Sequence, residues 1–346
     1  VLSYMLPEHL NQIQTYSFGA PDSDDIIVPE YISKKEGFSY TPYKLDNDYI
    51  NNQFLDHARE TITLSNGTRN YKRTHYVYAI KQIAEKSNYL LTGIFGDEVF
   101  KVGKPQGGTV ISKNTVDFIS SGFNVDDAIK QFRLSGVINI INDSEHHLLT
   151  ELKNRLVEIN NRFTQYETPG EQYFAFRFTL NLRKYFGNEV NSYNDFVYCF
   201  SPFIDYDFLK DFAQTHYMVS RFDLKTPSMK LKAQSSWLYY KLTAMNHKGL
   251  AKYKSSRGFS MKATQSFIGI LNILLQKSLI KKLQTKKDEF NTNNTDNLFI
   301  DFLESKTRNS ELKILNDNSS LYSINTTDLS SFKYYLFYLD EKYIIK

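Results

Sequence analysis

The residues best suited to chemistry form one run, Leu90-Leu91-Thr92-Gly93-Ile94-Phe95-Gly96-Asp97-Glu98-Val99-Phe100. An apolar stretch ends at a glycine, a short turn follows, and two carboxylates come directly after. Where a parallel strand ends in such a turn, ligands bind beyond its carboxyl end. Gly93 and Gly96 let the backbone approach a ligand closely. Asp97 at the mouth of that crevice can hold Mg²⁺ against phosphate oxygens. Gly19 ends an earlier β-rich run, Ile13 to Gly19, in the same way, so Tyr16 to Gly19 is expected to border the same crevice. The string also suits a plain strand–turn–helix junction, with Asp97 and Glu98 as helix-start acids favoured by the dipole.

The elements that must position these residues alternate over the first hundred positions. Ile13 to Gly19 reads as a strand. Asp22-Ser23-Asp24-Asp25 supplies an N-cap cluster, and Ile26 to Lys35 has helical spacing that stops at Glu36-Gly37. Phe38 to Leu45 alternates as a short strand, and Asn47 to Thr63 and Tyr71 to Lys86 read as helices. Asn88 to Ile94 is an apolar run of the kind that forms a buried parallel strand. This order predicts an α/β fold with right-handed crossovers and a parallel sheet. From Asn124 the pattern turns helical. Asp126 to Gln165, Gln172 to Tyr185, Trp237 to Asn246 and Thr264 to Leu283 are predicted helices, with a break at Thr168-Pro169-Gly170 and a new segment at Pro202. Asn291 to Asn297 is predicted to be a polar low-complexity loop. The expected organisation is a nucleotide-sized α/β core over 1–123, a helical part over 124–290 and a C-terminal extension over 291–346.

Thr92 to Phe100 resembles the Ser-Gly-x-Gly-x-Asp-Glu-x-Phe signature of the synthetase domain of glutamine-dependent asparagine synthetases and the related β-lactam synthetases. Thr15-Tyr16-Ser17-Phe18-Gly19 is similar to that family's Thr-Phe-Ser-x-Gly strand, and Ser201-Pro202-Phe203-Ile204-Asp205 to its Val-Pro-Phe-Leu-Asp. Tyr253 to Phe259 lies where the family has an Arg-x-Lys-x-x-Phe segment. The resemblance runs from Ile13 to Phe259. It implies an adenine-nucleotide α-hydrolase (HUP, Rossmann-like) core that binds ATP and Mg²⁺. It implies a ligase that adenylates a small-molecule carboxylate, releases pyrophosphate and forms an amide with an amine or with ammonia. The ammonia would come from glutamine through an upstream glutaminase domain, as in asparagine biosynthesis. Asp97 would be the catalytic Mg²⁺–pyrophosphate ligand, with Glu98 a weaker metal candidate. Phe18, Gly19, Thr92, Gly93 and Gly96 would bind ATP, and Arg257 would take the catalytic lysine position.

Departures from the pattern define the alternative. Ile94 stands where asparagine synthetases carry a glutamate, Phe95 replaces a small turn residue, and Lys101-Val102-Gly103 replaces Gly-Gly-Tyr. Arg257 keeps the charge of lysine but not its geometry or its ability to lose a proton. The chain opens at Val1, so the family's Ser-Gly-Gly-x-Asp-Ser pyrophosphate loop and first strand are expected upstream, and this stretch alone is expected to be inactive. The alternative is a catalytically degenerate nucleotide-binding or scaffold protein of the same fold.

Composition narrows the remaining classes. The chain has 346 residues, 41% hydrophobic and 23% charged, which excludes global disorder. A net charge of +4 is too small to predict nucleic acid or an anionic membrane as partner. Cys199 is the only cysteine, so no internal disulfide exists; its aromatic neighbours mark a buried thiol. No run reaches the roughly 20 apolar residues of a membrane span, and no signal peptide opens the chain, so a cytoplasmic location is expected. Abundant Tyr and Phe are read as compositional drift, and Asn66-Gly67-Thr68 as a chance glycosylation match. His146-His147 reads as a solvated helix start. His57 and His75 lie near predicted strand ends, where either could touch substrate, but both read as surface or packing residues. Lys281-Lys282 and Lys286-Lys287 read as a solvated basic helix end. Gly103 to Gly108 lacks the spacing of a phosphate loop and reads as a flexible loop beside the site.

Overall fold

Strand and helix alternate over the first hundred residues of the computed structural model, as the spacing requires. The described residues are 12–100, 113–134, 146–215, 217, 229–255, 258–283, 292–307, 334–335 and 338. The opening elements are β1 (Gln14–Gly19), α1 (Asp24–Glu36), β2 (Ser39–Lys44), α2 (Asn47–Asn52), α3 (Phe54–Leu64) and α4 (His75–Ala84). Then come β3 (Tyr89–Leu91), α5 (Gly96–Phe100), α6 (Lys113–Ser120), α7 (Val125–Leu134), α8 (His146–Phe163) and α9 (Pro169–Phe176). A π-helical stretch, Arg177–Asn181, joins α9 to α10 (Leu182–Asn194). The rest comprises β4 (Tyr198–Phe200), α11 (Tyr206–Ala213), α12 (Met229–Asn246), α13 (Phe267–Leu283) and α14 (Thr292–Thr307). The protein is mainly helical, with small parallel sheets.

Among the described residues the strands form two parallel pairs, where one parallel sheet was expected. β1 pairs β2 with Gln14 opposite Ser39 and Gly19 opposite Lys44, and β3 pairs β4 with Tyr89 opposite Tyr198. The chain groups into two units, one formed by 1–55 with 228–295, the other by 56–227 with 296–346. The first holds β1–β2 and the second β3–β4. The change expected at residue 124 therefore falls inside the second unit.

In the first unit, α1 covers both strands. Pro29 lies inside α1 and has no N–H for the Asp25 carbonyl four residues back. Ser17 of β1 supplies that donor, its hydroxyl bonding the Asp25 carbonyl oxygen. Gly37, at φ 75°, ends the helix with its N–H on the Ser33 carbonyl at 2.8 Å. Leu45 donates its N–H to the Gly19 carbonyl at 2.9 Å, so Gly19 faces β2. Parallel strands alternate, so Pro42, opposite Ser17, turns its imide nitrogen away from β1. An edge strand tolerates proline on that outer side. The 3₁₀ turn Lys262–Gln265 packs on α12 and α13. Gly269 of α13 admits it, because a Cβ there would strike the Ala263 carbonyl.

In the second unit, β3 is buried on one face only. Leu90 is buried, but Tyr89 and Leu91 are exposed, as are Tyr198 and Phe200 of β4. The expected fully buried strand is therefore a half-buried one, because among the described residues no helix covers the face that carries Tyr89 and Leu91. A second core gathers Phe118, Phe123, Leu156, Phe163, Tyr173 and Phe176 from α6 to α9. The expected break lies at 164–168, just before the start of α9: Thr168 and Glu171 form a reciprocal capping box and Pro169 opens the first turn. The Asn-rich run from Thr292 is helical and not a loop. Its helix is held by Phe299, which stacks on Tyr71 at 4.2 Å, and by Asp296, which accepts from Tyr71 Oη at 2.7 Å and from Lys72 Nζ at 2.8 Å. Burial of Phe299 and Leu303 outweighs the weak helix propensity of asparagine.

Candidate functional site

The site is built on the carboxyl end of β3. Thr92 extends the strand by one bond, its N–H donating to the Phe200 carbonyl at 2.8 Å. The chain then turns: Thr92 Oγ1 accepts from the Ile94 N–H at 3.3 Å, and Gly96 N–H closes on the Gly93 carbonyl at 3.1 Å. Phe95, at φ 72°, makes the turn left-handed, a conformation that favours glycine. Its ring is buried edge-on against Phe186 at 5.2 Å, which holds it there. From Gly96 the short α5 begins, and the Val99 N–H bonds the Phe95 carbonyl at 3.0 Å.

Ser201 to Asp205 closes over this turn. Ser201 Oγ donates to the Ile94 carbonyl at 2.6 Å. The Phe203 ring lies so near Gly96 that an added Cβ would meet it at 2.9 Å. Phe203 and Phe212 meet the Phe100 ring edge-on at 5.5 and 5.0 Å, tying α5 to α11. Asp205 caps α11, accepting the Phe208 N–H at 2.9 Å.

The expected ligand-binding residues separate into different roles. Gly93 is exposed, and a Cβ there would meet nothing within 4 Å, so the space before it is open. Gly96 is buried, and its missing side chain makes room for Phe203. Asp97 is the second residue of α5; its side chain lies outside the described residues. Glu98 is 8% exposed and lies 3.8 Å from Arg177 Nη2, itself buried on the π-helical stretch. Arg177 Nε is buried with no hydrogen-bond partner among the described residues, so the pair is inward-facing. Phe18 is half-buried on β1, and strand alternation directs its N–H and C=O to the side opposite β2. Gly19 is buried and admits the start of α1, since a Cβ there would meet Ser23 Oγ at 2.8 Å. Phe18 and Gly19 belong to the first unit, Thr92 to Glu98 to the second. Arg257 lies outside the described residues. The flanking Tyr253 does not: it packs edge-on against Tyr31 of α1 at 5.9 Å, and a hydrogen bond to Glu36 and burial push its phenol up to about 12.

Arg177 could not be read from the sequence as part of this region, because a π-helical insertion has no spacing signal. Neither could a buried charge cluster behind α4. There Glu189 accepts from Arg69 and from Arg73 Nη2 at 3.1 Å, and Tyr193 Oη donates to it at 2.8 Å. His75 is half-buried beside this cluster. Burial first, and then the Arg73 charge, holds its pKa down at about 3, so it is a neutral packing residue. His57 lies against Tyr78 at 5.6 Å, and His147 is exposed on the first turn of α8. Cys199 is half-buried on β4; burial, reinforced by Glu189, pushes its thiol up to about 11, which suppresses the thiolate. Among the described residues no cluster of three His, Cys, Asp or Glu side chains could hold a metal, and no helix is long and apolar enough to cross a membrane.

Compared with protein-family models, with curated proteins and with solved structures, the chain gives no match.

Proposed function

We propose that this chain carries the synthetase part of an ATP-dependent C–N ligase of the asparagine synthetase type, on an adenine-nucleotide α-hydrolase core. One observation carries the reading. Thr92–Phe100 and Ser201–Asp205, two segments singled out by resemblance, meet across a separation of 107 residues through the Ser201–Ile94 bond and the Phe203–Gly96 contact. Two further facts support it. Phe95 occupies a signature glycine position and keeps a backbone suited to glycine. Tyr253, in the fourth segment, lies against the helix that follows Gly19.

The proposed reaction begins when a substrate carboxylate oxygen attacks the α-phosphorus of ATP and pyrophosphate leaves. Ammonia or an amine then attacks the activated carbonyl carbon, a proton is lost from nitrogen, and AMP departs. Gly93 has open space before it, which suits a nucleotide, and the resemblance gives adenine to the backbone of Phe18, whose N–H and C=O face away from β2. Magnesium takes one or two carboxylates and completes its shell with water and phosphate. The resemblance gives that role to Asp97, while Glu98 is turned to Arg177 and secures α5. When bound, the ion would neutralise charge on the departing pyrophosphate. Arg257 would stabilise charge growing at the α-phosphate.

The test is ATP–pyrophosphate exchange by the protein expressed from its natural start, over a panel of carboxylic acids. We expect carboxylate-dependent exchange that Asp97→Asn lowers by about a hundredfold or more. Exchange indifferent to that substitution would sink the site assignment. No exchange with any acid would leave the degenerate nucleotide-binding or scaffold protein.

A further inference from the structure

The small net charge conceals a strong asymmetry. Residues 224–287 contain 14 Lys and Arg and no Asp or Glu, while the rest of the chain has 28 basic and 38 acidic residues. The described part of this segment belongs to the first unit. Lys241, Lys248, Lys252, Lys254 and Lys262 are all exposed there. The segment also exposes large apolar side chains in helical register. On α13, Phe267 is 76% exposed and Ile268 71%, and Leu271, Leu274 and Leu275 follow on the same face. On α12, Trp237, Lys241, Leu242 and Met245 share a face; Lys241 Nζ lies 5.2 Å from the Trp237 ring centre, and Met245 is 80% exposed.

We propose that α12 and α13 form a peripheral docking surface for an anionic lipid membrane. Two independent features select that partner. An acid-free, lysine-rich segment complements negatively charged headgroups. Aliphatic and aromatic side chains at i, i+1, i+4, i+7 and i+8 of α13 supply a stripe that buries in the acyl boundary, and Lys277, Lys281 and Lys282 end the same helix. Nucleic acid would use the charge but would leave the aliphatic stripe in water. Among the described residues no helix is long and apolar enough to cross a bilayer, so the proposed contact lies along the surface. This surface belongs to the first unit and Thr92–Phe100 to the second, and the proposal stands or falls independently of the ligase reading.

The experiment is co-sedimentation of the full chain with vesicles of phosphatidylcholine alone and of equal parts phosphatidylcholine and phosphatidylserine. Binding is expected to the second only and to weaken as salt rises. Phe267→Ser with Ile268→Ser should weaken it by about tenfold or more, and Lys241→Glu with Lys248→Glu by a similar factor. Circular dichroism checks that each variant folds; Met245→Ser replaces the apolar pair if that pair does not. Absence of binding to the anionic vesicles would overturn the proposal. So would equal binding to both vesicles, or binding unchanged by the apolar substitutions. An RNA oligomer that competes off the vesicles and binds the Phe267/Ile268 variant undiminished would assign the surface to nucleic acid instead. Self-association abolished by that variant, without vesicle binding, would assign it to a second copy of the chain.

Discussion

Phe95 holds a backbone conformation that costs an L side chain about 1–2 kcal/mol, and its buried ring offsets that strain. The usual order of substitutions should therefore invert. Phe95→Gly loses the ring but relieves the backbone, whereas Phe95→Ala loses the ring and keeps the strain. Urea titration should find the glycine variant the more stable by about 1 kcal/mol, with both below the parent. A parent no more stable than the glycine variant would show that the ring does not hold the turn. His75 gives a pH prediction. Unfolded, its pKa is near 6.5; folded, it is held at about 3. The unfolded chain thus binds more protons in that window, and stability falls as pH drops from 6.5 toward 3, by about 1.4 kcal/mol per unit. Thermal midpoints measured against pH should fall steeply there, and His75→Leu should flatten the slope. An unchanged slope would place the titrating group elsewhere.

At the scale of elements, α1 illustrates a local fault repaired at long range. Pro29 breaks the helical ladder at Asp25, and Ser17 of the neighbouring strand supplies the donor instead. Ser17→Ala should cost about 1 kcal/mol, since it removes the hydrogen bond that replaces the missing helical one. Pro29→Ala restores an N–H, so Ser17→Ala should cost less in that background, and a double-mutant cycle reads the coupling. Additive effects would mean that the two groups do not share the carbonyl. Many elements were legible because their signals are local. The first-turn acids Asp24 and Asp25 and Gly37 bound α1, alternation marks β2, a β-rich run ending in glycine marks β1, and the glycine-bounded apolar run marks β3. The Asn-rich start of α14 was not legible, because what makes it helical is Phe299 against Tyr71, far away in sequence. The π-helical turn carrying Arg177 was hidden for the same reason: its signal is the partner, Glu98.

At the scale of the molecule, the division into two units has a measurable consequence. Trp237 is the only tryptophan and belongs to the first unit, while far-UV circular dichroism samples both. Denaturant curves followed by tryptophan fluorescence and by circular dichroism should not coincide. Superimposable curves would mean that the units unfold as one cooperative body. The charge asymmetry belongs to this scale too, since a total of +4 gave no hint of a basic segment balanced by acidic remainders.

The sequence by itself determined the alternation of strand and helix from β1 to β3, the glycine turn after β3, and the four segments that resemble the synthetase family, but not β4. Each of these depends on neighbours within a few positions, through periodicity, capping and turn chemistry. Only the tertiary structure decided that the strands pair as two parallel couples, that Gly96 serves Phe203 while Gly93 stays open, and that Glu98 turns inward to Arg177. It also decided which lysines and apolar residues of α12 and α13 meet solvent. Those outcomes depend on contacts between residues far apart in the chain, where burial and charge pairing outweigh any local preference.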